Sequence, residues 1–195
     1  NFAPAMTVSV VDVANRRYVG ELQTQGCGLV LPAGKDSFLQ PCGDGTVQRI
    51  RVDADGRELV RDRTARFFDP ENDPLTDRPA RDGERWWFST YAGKVFAVSA
   101  ARKRTDVAEP PQVSVPFTLQ GSAPDDAKWR AGGRLPLAVH RASHRLFALM
   151  HVGGADSHEE PGTEVWVYDI GGGKAHGTRI ARWPLAGPTV AIDFR

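Results

Sequence analysis

The chain has 195 residues, with 25 Lys and Arg against 24 Asp and Glu, a formal net charge of +1 at neutral pH. Near-neutrality excludes the concentrated basic face that nucleic-acid and membrane-surface proteins need, so neither is an expected partner. A hydrophobic fraction of 41% suffices for a packed core, and the longest stretch free of Asp, Glu, Lys and Arg, residues 110–124, is too short for the ~20 apolar residues of a membrane span.

The 20 glycines and 14 prolines cut the chain into pieces too short for long helices. Four of those pieces alternate with period two. Residues 7–13 read T-V-S-V-V-D-V, residues 46–52 T-V-Q-R-I-R-V, residues 94–98 K-V-F-A-V and residues 164–169 E-V-W-V-Y-D. Each is β-branched or aromatic on one face, the pattern of a half-buried strand, and no window shows a sustained helical apolar pattern. The expected fold class is all-β.

The four strands occupy similar places in a larger unit. Residues 10–22, 50–62, 96–108 and 167–181 each run from an apolar strand through a polar turn into a second, more polar strand. Taking Asp12, Asp53, Ser99 and Asp169 as equivalent points, the separations are 41, 46 and 70 residues. The first two match the ~40–50 residue period of four-stranded propeller blades. The third is lengthened by insertions across 109–133 and 152–162. An apolar segment and a hairpin precede the landmark at 28–31 and 37–40, and again at 135–139 and 145–150, the order of strands within a blade. The chain therefore reads as an incomplete β-propeller arc of about three and a half blades. Residues 1–26 form the outer half of one blade, residues 27–70, 71–119 and 120–187 form three whole blades, and residues 188–195 form the first strand of another, at 189–194. Such an arc does not close the ring of about 4 to 8 blades. Asn1 is not an initiator, so the expectation is an internal fragment of a larger propeller; a small irregular β-sandwich is the alternative.

Cys27 and Cys42 flank a hairpin centred on Ala33–Asp36. In that hairpin Leu31 faces Phe38, Val30 faces Leu39 and Cys27 faces Cys42. Directly opposed residues on antiparallel strands lie within disulfide reach, so the register predicts a Cys27–Cys42 bond and an oxidising compartment. Two buried free thiols are the alternative reading.

Catalytic motifs are nearly absent. There is no G-x-S-x-G, and Gly171-Gly172-Gly173-Lys174 lacks the rest of a phosphate loop and reads as a turn. Residues 69–74, D-P-E-N-D-P, have acidic spacing suggestive of calcium, but Pro74 stands where such a loop needs glycine. His151, Asp156, His158, Glu159 and Glu160 crowd one insertion without the H-E-x-x-H order of a zinc site, so a loop used for subunit contact is the better reading. His140 and His144 flank a turn and need no function. Trp86-Trp87-Phe88 puts aromatic bulk on both faces of a strand, as an inner blade strand requires.

The sequence resembles the heavy (β) subunit of the quinoprotein amine dehydrogenases, of both the methylamine and the aromatic amine type. The resemblance is carried by residues 7–13, by Gly26-Cys27 with the run Pro41-Cys42-Gly43-Asp44-Gly45-Thr46, by Phe67-Phe68-Asp69-Pro70-Glu71-Asn72-Asp73-Pro74, and by Leu149-Met150-His151 with His158 and residues 161–167. These span nearly the whole chain in the family's order. The resemblance implies a seven-bladed propeller of which this chain is the middle portion, and Cys27 and Cys42 match the family's intrachain disulfide. It further implies a periplasmic oxidoreductase that deaminates primary amines to aldehyde and ammonia. Its cofactor, tryptophan tryptophylquinone, would sit on a separate light subunit in a heterotetramer, with electrons passing to a blue copper protein, amicyanin or azurin. The heavy chain would supply walls and docking surface, so no catalytic, cofactor or metal residue is carried over. The segment after His151, residues 152–157, departs from the larger aromatic and basic loop of the family. The opening residues 1–5 lean towards the aromatic type. A stand-alone periplasmic propeller that binds a ligand without redox chemistry is the competing class; a truncated, inactive product is a third.

Overall fold

Three of the four repeated landmarks of the sequence, Asp12, Asp53 and Asp169, are turn-forming carboxylates. Asp12 accepts the backbone N–H of Asn15 at 3.1 Å, Asp53 those of Asp55 and Arg57 at 2.9 and 2.8 Å, and Asp169 that of Gly171 at 2.8 Å. An Asp side chain bonded to its own backbone two to four residues on fixes a tight turn. Each such turn joins an apolar strand to a more exposed one, which is why the echo is visible in sequence.

The computed structural model describes residues 6–100, 109–120, 124–154 and 156–194. The readings made for residues 1–5, for the 101–108 half of the third echo, and for 121–123 and 155 within the insertions lie outside the described residues. All regular structure is β apart from two short 3-10 turns, Pro124–Lys128 and Arg141–Ser143. Among the described residues no helix is long and apolar enough to cross a membrane.

The strands form antiparallel sheets in which most strands that follow one another in sequence lie side by side, the order of propeller blades. The first sheet is the hairpin of β1 (Thr7–Asp12) and β2 (Arg17–Gln23). The second runs β3 (Leu31–Pro32), β4 (Ser37–Pro41), β5 (Val47–Val52), β6 (Glu58–Arg63). The third has β7 (Ala80–Asp82), β8 (Arg85–Ser89) and β9 (Lys94–Ser99), with the short β10 (Gln112–Val113) and β11 (Phe117–Thr118) both on β9. In the fourth, β12 (Trp129–Ala131) and β13 (Leu137–His140) share β14 (Arg145–Val152), followed by β15 (Gly162–Asp169) and β16 (Arg179–Thr189).

By contact the chain divides into two compact units, Asn1–Asn72 with Gly83–Arg85 and Val98–Val113, and Asp73–Asp82 with Trp86–Ala97 and Ser114–Arg195. Cys27, Leu39, Cys42, Val47 and Ile50 are fully buried in the first. The second packs Trp87, Val95, Leu119, Leu146, Met150, Trp166 and Tyr168 into one cluster. Leu146, Ala148 and Met150 on β14, and Trp166 and Tyr168 on β15, reach it because alternate residues of a strand share a face. The Tyr168 hydroxyl donates to the Leu119 carbonyl at 2.6 Å, so this buried phenol is satisfied.

Three expectations are corrected. Residues 109–133 are not merely an insertion, since β10 and β11 lie in them and pair with β9; Pro116, which has no N–H to donate, stands between them and hides the alternation. Residues 189–194 do not form a strand: Thr189 ends β16 and only Ala191 pairs, in an isolated parallel bridge with Leu135. The third concerns register. The disulfide joins Cys27 and Cys42, which face each other as expected, but β3 pairs Leu31 with Leu39 and Pro32 with Phe38, one residue off the expected partners. The extra residue is absorbed between Cys27 and Leu31, where Leu29 adopts a left-handed φ of 62°.

Candidate partner-contact surface

The β14–β15 hairpin of the fourth sheet is drawn out into a loop, residues 153–161, of which all but residue 155 are described. Its base is built around His151. This residue lies near the end of β14 opposite Arg130 of β12 and is only 3% exposed. Its Nε2 bonds to the Ser157 hydroxyl at 2.8 Å, and that hydroxyl in turn donates to the Gly154 carbonyl at 2.6 Å. The loop then closes on itself, Glu160 N–H donating to the Ser157 carbonyl at 2.9 Å. Gly132 permits this packing: a Cβ there would stand 2.4 Å from His151 Cε1 and 2.5 Å from the Glu160 carbonyl oxygen. Burial holds the His151 imidazolium below its usual range, Glu160 working against that shift and Arg130 with it.

The five residues singled out in sequence therefore separate. His151 is not a surface contact; it is the buried post on which the loop hangs. Asp156, Glu159 and Glu160 are exposed, and His158 is half-buried with its ring stacked on Tyr91 at 3.9 Å between centroids. The Gly133 N–H donates to the His158 carbonyl at 3.1 Å and ties the loop to the β12–β13 connection. Burial, with the carboxylates of Asp77, Glu159 and Asp156, pushes the Tyr91 hydroxyl up.

Beside the stack lies a cleft of about 500 Å³, lined among others by Asp77, Arg78, Arg134, His158 and Glu159. Arg78 pairs only with the adjacent exposed Asp77, at 3.4 Å, and Arg134 and Glu159 have no ion-pair partner among the described residues. Both charge signs are thus open to a partner, and rim charges of this kind steer and orient association. Sequence reasoning missed Tyr91, Asp77, Arg78 and Arg134. They come from different sheets and carry no local pattern.

The other sequence candidates are turns. Asp69 accepts from the Glu71 and Asn72 N–H groups and from the Asn72 side chain, which holds its carboxyl below the usual range. His140 bonds Ser143 at 2.7 Å, and His144 takes the left-handed position closing that turn. Among the described residues no group of three or more His, Cys, Asp or Glu is placed to hold a metal ion.

A family model described as methylamine dehydrogenase heavy chain (MADH) matches residues 1–191. The chain belongs to that family. It is similar to the methylamine dehydrogenase heavy chains of Methylorubrum extorquens, 30% identical over 89% of this chain and 41% of the relative, and of Methylobacillus flagellatus, 28% identical over 89% and 42%. The chain thus spans about two fifths of the length of these relatives. Among solved structures it resembles the β-propeller domain of Cps50 (Swd1) from Myceliophteria thermophila, with a TM-score of 0.50, 11% identity, and coverage of 84% of this chain and 42% of that one, a likeness of fold alone.

The quinone that the resemblance implies is made from two tryptophans, and here the rings of Trp129 and Trp166 stand 5.2 Å apart between centroids. The pair does not fit that role. Trp166 is fully buried and Trp129 is 8% exposed, the guanidiniums of Arg179 and Arg182 lie over the Trp166 ring at 4.3 and 4.6 Å, and Trp166 Nε1 donates to Glu164 at 2.6 Å. So covered, the two rings are not open to a substrate.

Proposed function

We propose that the chain is part of the heavy-chain scaffold of a periplasmic amine dehydrogenase that deaminates primary amines to aldehyde and ammonia. The observation that carries this reading is the family match over residues 1–191. On this reading tryptophan tryptophylquinone, formed on a separate light subunit in a heterotetramer, supplies the electron sink, and a blue copper protein, amicyanin or azurin, takes the electrons. The buried Cys27–Cys42 disulfide supports an oxidising compartment.

The residues of this chain bind and position in that scheme. The loop 153–161 and the cleft beside it present Glu159, Arg134 and the His158–Tyr91 stack as a docking surface for the light subunit, while the sheets hold that surface rigid. The test is purification of the full-length chain from its native periplasm, followed by an absorbance spectrum and addition of a primary amine. A small companion chain with a visible band that amine bleaches is the expected result. A colourless chain purified alone overturns the reading in favour of a propeller that binds its ligand without redox chemistry.

A further inference from the structure

The post beneath the contact loop is a titratable group held in one protonation state. The Ser157 hydroxyl donates its single proton to the Gly154 carbonyl, so it must accept from His151, whose Nε2 therefore carries the ring proton. His151 Nδ1 is then a bare lone pair, and it is buried with no hydrogen-bond partner. A second proton at Nδ1 would place both a charge and an unsatisfied donor in a buried site, on the edge of the ring against which Gly132 packs.

We propose that residues 153–161 are a strap latched by uncharged His151, and that acidification releases the strap and withdraws His158 and Glu159 from the cleft. The groups facing His151 decide the sign. Arg130 on β12 opposes its protonation, and Glu160 on the loop favours it. The nearest carboxylate of β15, Glu164, is engaged by Arg182 at 2.9 Å. His158 and Glu159 lie further along the same loop, His158 against Tyr91. The ring in the closed strap holds its proton less readily than one in water, and linkage follows directly. Closure is fully favoured above the ordinary histidine value of ~6.5 and weakens as the pH falls below it, by up to about tenfold per pH unit until the closed ring also protonates.

The test is hydrogen–deuterium exchange on the full-length chain, corrected for the intrinsic pH dependence of amide exchange. Opening of residues 153–161 is expected to rise from about pH 7.5 to about pH 5.5, by at most about tenfold, while residues 146–149 of β14 keep their protection. His151→Gln, which cannot take the second proton, is expected to abolish that dependence. Ser157→Ala is expected to open the strap at both pH values. Equal opening of the wild-type strap at both pH values overturns the proposal, as does an undiminished pH dependence in His151→Gln. Should that variant not fold, an NMR titration of wild-type His151 decides: a ring that titrates at its ordinary value with the strap still protected overturns it. None of these readouts needs the partner subunit.

Discussion

Gly45 and Phe68 meet backbone to backbone: a Cβ on Gly45 would stand 2.4 Å from the Phe68 carbonyl oxygen. Gly45 also has a φ of +82°, and its carbonyl accepts the Phe67 N–H at 3.0 Å. Two of the sequence runs that resemble the amine dehydrogenase heavy chains, C-G-D-G-T and F-F-D-P, are thus one physical object, a β-turn with an irregular return segment laid across it. Gly45→Ala combines left-handed backbone strain with a clash against immovable backbone and is expected to destabilise by about 3 kcal/mol, read as a lower urea midpoint of the full-length chain. A loss under about 0.5 kcal/mol would contradict this account of the motif.

Arg49 and Asp62 are cross-strand partners on β5 and β6 whose side chains form a two-pronged ion pair, 8% and 16% exposed. Arg49 also donates to the Ala100 carbonyl at 3.2 Å. Asp62→Ala leaves a buried guanidinium without its counter-charge, for which the expected loss is about 3–5 kcal/mol. Replacing both residues together, Arg49→Met with Asp62→Leu, is expected to cost far less. Urea titration of both variants checks the contrast. Equal losses would mean that packing and not charge pairing fixes the site.

The Cys27–Cys42 bond closes a loop of 15 residues, worth on the order of 3 kcal/mol in the chain-entropy model. Both cysteines are almost fully buried, at 0% and 1% exposure. Reductant with a thiol label is therefore expected to modify neither until denaturant is added, as mass spectrometry of the folded and unfolded chain would report. Rapid labelling of the native chain would show the bond to be accessible.

How much of this was legible in the sequence follows from what each feature depends on. β1, β5, β9 and β15 showed themselves by their β-branched and aromatic residues, but only β1 alternates between exposed and half-buried positions; β5, β9 and β15 each bury four consecutive residues, so both of their faces are covered and the expected half-buried strand holds for β1 alone. The disulfide was legible as well, but not the register of β3, because Leu29 takes a left-handed conformation that nothing in its side chain announces. The outer edge of the third sheet escaped because its two pieces have two residues each, with Pro116 between them. At the contact surface the loop was legible from its crowd of His, Asp and Glu, whereas the burial of His151 depends on Gly132 from another strand and on Ser157 folding back over it. The cleft residues Arg78 and Arg134 are assembled only by tertiary structure.

Glu164 gives the acid limb of stability a defined origin. Burial alone would raise its carboxyl, but hydrogen bonds from Arg182, at 2.9 and 3.1 Å, and from Trp166, at 2.6 Å, outweigh burial and hold it below its ordinary range. A carboxyl depressed in the folded state contributes stability that is complete above its unfolded value, near ~4.3, and lost as the pH falls through the folded value. The wild-type urea midpoint is therefore expected to hold from neutrality down to about pH 4.5 and to decline below it. Glu164→Gln lowers the midpoint at neutral pH and flattens the decline, because the ionisation it removes is the one being titrated. Tryptophan fluorescence follows both, since Arg182 lies 4.6 Å over the Trp166 ring and loses its anchor with the carboxylate. A variant whose acid decline matched the wild type's would show that the acid lability does not originate at Glu164.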